Sequence, residues 1–225
     1  MDDLVTARLV LHPMSISEAE RVLTGEPGEA ARWAPEYPAE GDVSAARRFL
    51  NTCANIGDPR PFGTYEIRRR EDGLTIGGVD FHGKPDENGS VTIGYGLIPS
   101  AHGNGYASEA LRALLTFARA HGVTSVEGDT DHDNTASQHV MAAVGMRLIA
   151  EDERLRYYKI TWNEVAEMAG PHHQPHQDHL TRDQQRRPSL ADRFRVSRHL
   201  DFSAAWNSVM PRNRLLCLRV GPTGL

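Results

Sequence analysis

Residues 97–107, Leu-Ile-Pro-Ser-Ala-His-Gly-Asn-Gly-Tyr-Ala, join an apolar strand end to two glycines and the start of an apolar-periodic run. In Gly103-Asn104-Gly105 the small side chains let consecutive backbone amides point at one spot. A helix opening near Tyr106 adds the positive end of its dipole. Such a turn suits an anion, above all a diphosphate, although a Gly-x-Gly before a helix is also an ordinary tight turn. Two other nucleotide loops are excluded. A P-loop needs Gly-Lys-Ser/Thr, and here Tyr106 follows Gly105; the dinucleotide fingerprint needs a third glycine where Ser108 stands.

The elements that must position this turn follow from hydrophobic period. Thr6–Met14 alternates weakly and predicts a first strand, closed by Pro13. Ser15-Ile-Ser-Glu18 has the spacing of a capping box and opens a short helix. Asp42 or Ser44 can cap a second helix carrying Ala45, Phe49, Leu50 and Cys53. A hairpin follows, Thr64–Arg70 and Leu74–His82 around Glu71-Asp-Gly73, and Val91–Ile98 supplies a third antiparallel neighbour. Glycines 94 and 96 in that strand imply a bulge or a close backbone approach. Ala107, Ala110, Leu111, Leu114, Leu115 and Ala118 predict a helix up to Gly122. Val123–Thr130 reads as a strand, Asn134–Val144 as a helix, and 146–150 with 155–160 as a closing hairpin.

Composition narrows the class. No stretch of the 225 residues approaches the ~18–20 apolar residues that span a bilayer, and Met-Asp-Asp-Leu-Val-Thr-Ala-Arg shows no secretory leader, so the expectation is a cytoplasmic protein. Cys53 and Cys217 lie far apart and suggest neither a disulfide framework nor a metal site. The net charge of −5 is uneven: residues 171–225 hold 9 Arg and 4 Asp, a net of +5, against −10 for residues 1–170. The acidic body argues against nucleic acid binding and can draw a cationic acceptor, or simply be a solvated surface. Two regions are expected, a domain over 1–170 and a basic, His/Gln/Arg-rich tail over 171–225 that is largely disordered. Four histidines at 172–179 lack cysteine partners, and no metal is expected.

His102, Gly105 and Ala107 occupy the three fixed places of the acetyl-CoA motif, Gln/Arg-x-x-Gly-x-Gly/Ala, of the GNAT acyltransferases. Thr6-Ala-Arg-Leu9, Ile93-Gly-Tyr-Gly-Leu-Ile-Pro99, Asn134-Thr-Ala-Ser137 and Val144-Gly-Met146 together resemble its RimJ/RimL-like branch, over about residues 5–161. The resemblance implies an α+β fold with a mixed, mostly antiparallel sheet flanked by helices and splayed into a V between the fourth and fifth strands. It also implies acetyl-CoA as cosubstrate and an amine acceptor, a protein N-terminus or a small molecule, with a homodimer left open. By the same resemblance the backbone of Leu97 and Ile98 meets the thioester end and pantetheine arm. The amides of Gly103, Asn104, Gly105, Tyr106 and Ala107 hold the pyrophosphate, and His102 either contacts phosphate when protonated or caps the turn. Asn134 touches the arm, is equally suited to cap the following helix, and can do both. Trp33 and Tyr37 line the acceptor groove, with His82 beside it, although Trp33 equally suits the core.

Acetyl transfer to an amine needs a neutral nucleophile and a proton for the departing thiolate. The tyrosine that many relatives use as donor, seven residues after the asparagine, is Met141 here. Ser137 fills the donor's place in the RimL-like branch, and is equally suited to a local backbone bond near a helix start. The glutamate expected two residues before Gly94-Tyr95 is Thr92, which leaves Glu66, Asp80 and His82 as candidate bases; each is also an ordinary strand residue. An α-amine costs only about 1.2 kcal/mol to deprotonate at pH 7, a lysine about 4.6, so a site with a weak base fits an α-amine better. Met141 and Thr92 also motivate a rival reading, a CoA-binding module without catalysis. The basic tail motivates a third, docking on a partner such as ribosomal RNA.

Overall fold

Apolar alternation turns into ladders because only one residue in two can face each side of a pleated strand. The computed structural model describes residues 2–162; the expectations about the 171–225 tail, its histidines and Cys217 lie outside the described residues. The elements are β1 (Leu4–Val5), β2 (Leu9–Pro13), α1 (Ile16–Thr24), α2 (Glu40–Asn55), β3 (Thr64–Arg69), β4 (Thr75–Phe81) and β5 (Ser90–Leu97). A 3-10 turn at Pro99–Ala101 follows, then α3 (Tyr106–Ala120), β6 (Ser125–Asp131), α4 (Thr135–Ala143), β7 (Arg147–Glu151) and β8 (Leu155–Thr161). The sheet runs β1-β2-β3-β4-β5-β6-β8-β7 and is antiparallel throughout, except that β5 and β6 are parallel. This is the expected α+β fold. No helix among the described residues is long and apolar enough to cross a membrane.

The break in the sheet is its main functional feature. β5 and β6 pair only through Ser90–Thr92 and Ser125–Glu127, although they have eight and seven residues. Beyond those three pairs the strands part. Because β1 precedes the expected first strand, the expected fourth and fifth strands are β5 and β6, and the V opens where it should.

The two faces of the sheet differ. Residues Leu11, Tyr65, Ile67, Val79, Phe81 and Ile93 face α3, whose Leu111, Leu114 and Ala118 are fully buried. Phe117 sets its ring 6.4 Å from Tyr65 and 6.3 Å from Phe81. Each such buried Leu or Ile contributes about 1.5–3 kcal/mol of hydrophobic stabilisation. The opposite face carries Glu66, Arg68, Asp80 and His82 and lies under α1 and α2.

Local chemistry explains both covering helices. Ser15 and Glu18 form the expected capping box, with Ser15 N–H donating to Glu18 Oε2 at 2.8 Å, and Gly25 ends α1 at φ 71°, a left-handed conformation that favours glycine. The start of α2 differs from the expectation. It begins at Glu40, and Asp42 sits inside its first turn, its Oδ2 accepting the Ala39 N–H at 2.9 Å. A carboxylate there also complements the helix dipole.

Candidate functional site

The mouth of the V is the glycine turn. Gly103 and Gly105 adopt φ 74° and 75°, a region costly for residues with a Cβ, and Gly105 is the N-cap of α3. The amides of Tyr106, Ala107 and Ser108 have no carbonyl one turn earlier to bond, so they point outward at the positive end of the helix. Asn104 folds its side-chain amide onto the carbonyls of Ala101 and His102, at 3.3 and 2.9 Å, leaving its backbone on the open side. The turn thus fits a diphosphate: space for backbone approach, converging donors, no side chain in the way.

A brace for this turn was only half visible in Thr6-Ala-Arg-Leu9. Thr6 Oγ1 and the Arg8 N–H both donate to Glu109 Oε1, at 2.7 and 2.9 Å, and Arg8 Nε donates to Glu109 Oε2 at 2.7 Å. A second guanidinium nitrogen of Arg8 donates to the Asn104 carbonyl at 2.9 Å, and the guanidinium lies over the Tyr106 ring, 4.7 Å from its centroid. Hydrogen bonds from Thr6 and Arg8 hold the Glu109 carboxyl below its ordinary range against the opposing effect of burial. Arg8 and Glu109 are functional positions the motif reading passed over.

Inside the V, ladder alternation decides which backbone groups are free. The amide of Ile98 donates to Ile76 O at 2.9 Å, and its carbonyl accepts from Ala101 N at 3.0 Å; His82 N–H donates to Thr92 O at 2.9 Å. The even residues of β5 therefore bond toward β4, and the odd ones, Ile93, Tyr95 and Leu97, face the opening. Ile98, expected to meet the cofactor, has both backbone groups spent. Leu97 faces the opening, with its carbonyl 2.9 Å from His102 Nε2. His102 is therefore turned to the strand end instead of to the anion position.

The far wall of the V is α4. Asn134 is its N-cap, its Oδ1 accepting the Ser137 N–H at 3.1 Å. The Ser137 carbonyl accepts the Tyr95 hydroxyl at 3.0 Å, so Ser137 stands directly across from β5. Burial pushes the Tyr95 phenol up to about 12, which keeps it a donor. The Ser137 hydroxyl itself makes no hydrogen bond among the described residues. Met141 is buried at the floor, where a methyl group on Gly128 would come within 3.4 Å of its sulfur.

On the charged face, the predicted carboxylates arrive together, each held by an arginine. Glu66, 2% exposed, receives Arg68 at 2.6 Å and Thr75 Oγ1 at 3.4 Å. Asp80, 4% exposed, receives Arg48 at 2.6 Å. His82 Nε2 lies 3.9 Å from Asp80 Oδ2; burial lowers the imidazole pKa, Asp80 opposing and Arg48 adding to the shift. The register sets Glu66, Gly78 and Gly96 side by side on three strands, and Thr64, Asp80 and Gly94 likewise. The glycines of β5 thus leave its charged face bare. A methyl group on Gly94 would press within 2.9 Å of Asp80 Oδ1, whereas one on Gly96 would meet nothing within 4 Å.

Trp33 and Tyr37 border this face. Ala34 N–H donates to Thr75 O and Thr75 N–H to Arg32 O, at 3.1 and 2.7 Å, which docks the 31–37 loop on β4. The two rings pack edge to face at 5.2 Å. A pocket of about 490 Å³ opens between this loop, α1 and β3, lined by Glu18, Glu29, Trp33, Glu66 and Arg68 among others. Hydrogen bonds from His12 and Ser15 hold Glu18 far below the usual carboxylate range in spite of its burial. Among the described residues no three of His, Cys, Asp and Glu gather as a metal site.

The sequence profile of the family described as Acetyltransferase (GNAT) domain matches residues 8–147. YjdG of Bacillus subtilis (strain 168), an uncharacterized N-acetyltransferase, is 28% identical over 114 residues, 50% of this chain and 68% of that protein. The ribosomal-protein-S5-alanine acetyltransferase of Vibrio fischeri superposes with a TM-score of 0.56 at 13% identity, over 73% of this chain and 98% of that one. RimL, a ribosomal L7/L12 alpha-N-protein acetyltransferase solved in complex with coenzyme A, superposes with a TM-score of 0.53 at 18% identity, over 71% and 98%. At these identities the likeness to solved structures is one of fold.

Proposed function

Because the chain belongs to the GNAT acetyltransferase family and is an acetyltransferase, we propose that it moves the acetyl group of acetyl-CoA to a primary amine. The acceptor is an N-terminal α-amine of a protein or peptide, or a small-molecule amine, as in the RimJ/RimL-like branch. The observation that carries this reading is the parting of β5 and β6 after three residue pairs, with the anion turn at the mouth and Ser137 on the far wall.

The cosubstrate supplies an acyl group already activated as a thioester. The amides from Gly103 to Ala107 hold its diphosphate, and the backbone of Tyr95 and the amide of Leu97, which face the opening, receive its arm as a strand would be received. Asn134 shapes the wall by capping α4. Ser137, with an unspent hydroxyl, gives its proton to the departing thiolate and recovers one from the nitrogen that has just become an amide. Trp33, Tyr37 and His82 border the acceptor. Glu66 and Asp80, each paired with an arginine, shape the field around the amine, and neither is a free proton acceptor.

Thiol release from acetyl-CoA tests the proposal on a panel of short peptides with free α-amines, polyamines, amino acids and aminoglycosides, alongside calorimetric titration with CoA. Binding with turnover on at least one amine is the expected result. Binding without turnover would support a CoA-binding module, and no binding would sink both readings.

A further inference from the structure

The proposed reaction leaves one role unfilled, since the carboxylates of Glu66 and Asp80 are already tied to arginines. Asp42 differs. It is 7% exposed and forms no ion pair among the described residues. Its Oδ2 is spent on Ala39 N–H, and its Oδ1 carries no hydrogen bond among the described residues. That free oxygen stands 3.0 Å from where a methyl group on Gly78 would lie, and Gly78 is the register partner of Gly96 on β5. Adjacent strands lie about 4.8 Å apart, so Asp42 reaches over β4 to within one strand spacing of the bare stretch of β5 beside the V.

A second observation points to a ligand on the same charged face. Among the described residues, the Tyr37 hydroxyl is buried without a hydrogen-bond partner, on a residue 6% exposed, and the indole N–H of Trp33 beside it is also unpartnered. An unsatisfied buried polar group costs about 1–3 kcal/mol. Burial and then the charges of Asp42 and Glu66 raise the Tyr37 pKa, so the phenol stays protonated and lies in the field of those carboxylates. A free carboxylate oxygen and a free phenol oxygen together accept two N–H groups, as an ammonium requires.

Resting on the acetyl-transfer reading above, we propose that Asp42 receives the acceptor's ammonium group and takes its proton, with Tyr37 as the second ligand of that nitrogen. The balance is simple: the N–H bond breaks, its electron pair stays on nitrogen for attack on the thioester carbon, and the proton moves to Asp42 Oδ1 and then to solvent. The charged groups acting on Asp42 are Glu66 from β3 and Asp80 from β4, and the Tyr37 phenol of the preceding loop lies in its field; Arg68 and Arg48 are spent on Glu66 and Asp80, and Glu18 and His12 pair with each other, with Arg68 also reaching Glu18. Burial, with Glu66 and Asp80 adding, pushes the Asp42 carboxyl up to about 7 in spite of its bond from Ala39. Proton transfer from an α-amine near 7.7–8.0 is then nearly level, whereas a lysine near 10.4 is uphill by about three powers of ten.

The test uses the full chain, acetyl-CoA, an Ala-initiated tetrapeptide, and an α-blocked tetrapeptide with one lysine. Asp42→Asn keeps the acceptor for Ala39 N–H and is expected to lower kcat/KM on the free-amine peptide about 100-fold or more, with acetyl-CoA affinity within twofold. It should also remove the acidic limb near pH 7 from the kcat/KM profile. Tyr37→Phe is expected to raise the KM for the peptide more than it lowers kcat, and wild type should favour the free-amine peptide. An Asp42→Asn enzyme within threefold of wild type with an unchanged pH profile overturns the assignment, as does an equal loss of acetyl-CoA binding. If wild type releases no thiol with any amine, the acetyl-transfer reading itself has failed, and Asp42 with it.

Discussion

The two faces of the central sheet solve opposite problems. Under α3, Tyr65, Ile67, Val79, Phe81 and Ile93 are packed by Leu111, Leu114 and Phe117, and no charge is buried among them. Under α1 and α2, Glu66, Asp80 and Asp42 are buried at 2%, 4% and 7% exposure, with Arg68 paired to Glu66 and Arg48 to Asp80. The first face supplies cohesion through area; the second spends some of it to keep charges out of water beside a bare stretch of β5. Charge burial costs several kcal/mol per ion unless paired. The difference shows that stability and reactivity are assigned to opposite sides of the same strands.

The largest effects should come from breaking each face in its own way. Arg48→Ala strands the Asp80 carboxylate and is expected to cost about 3–5 kcal/mol in urea unfolding at pH 7, whereas Arg48→Ala combined with Asp80→Asn should recover much of that loss. Leu114→Ala is expected to cost about 2–5 kcal/mol by loss of packing, which Asp80→Asn should leave unchanged. Equal rescue, or none in either case, would erase the contrast between the faces.

Asp42 sharpens it next. Its carboxyl sits at about 7 in the folded protein, above the ordinary range. The folded chain therefore holds a proton that the unfolded chain releases, so stability falls as pH rises from about 4 to about 7 and then levels off. Asp42→Asn should be as stable as wild type near pH 4 and more stable at pH 8 by on the order of 2–4 kcal/mol. A variant that gains stability while losing turnover marks a charge kept for chemistry.

Smaller effects test the mouth and the wall of the V. Gly105→Val forces a β-branched residue to a φ of 75° and should weaken acetyl-CoA about 10- to 100-fold by calorimetry. Unchanged affinity would remove the turn from the binding site. Tyr95→Phe loses the bond to the Ser137 carbonyl and should cost about 0.5–1.5 kcal/mol of stability; a thermal melt identical to wild type would show that the bond contributes nothing.

What was legible in the sequence follows the range of the interactions involved. The strands, the capping box at Ser15, the glycine turn and the Asn134 cap depend on neighbours within a few residues, and all formed where period and spacing put them. The start of α2 was misplaced because Asp42 has the right type for a cap, and only the fold shows it reaching back from inside the first turn. Glu66 and Asp80 were found as carboxylates on one face, but their arginines were not, because Arg48 and Asp80 are 32 residues apart. Ile98 was assigned to the cofactor by motif, yet strand pairing, a tertiary matter, spends its amide on β4, and the turn that follows takes its carbonyl. Asp42 was read as structure because its burial beside Glu66 and Asp80, whose arginines leave it without an ion pair among the described residues, exists only after the sheet has brought its neighbours together.

The brace of Thr6 and Arg8 on Glu109 joins positions 103 and 101 residues apart. A chain emerging from its N-terminus has made Thr6 and Arg8 long before it makes the turn and Glu109, and the turn stays unsupported until β2 has paired with β3 and α3 has settled across them. Long-range closure of this kind comes late in folding. The diphosphate grip therefore belongs to the completed domain alone. A ligand that grips only the finished fold adds RT ln(1 + [L]/Kd) to its stability, about 2.7 kcal/mol at a hundredfold excess over Kd, so on the acetyl-transfer reading proposed above the cosubstrate would also stabilise the fold.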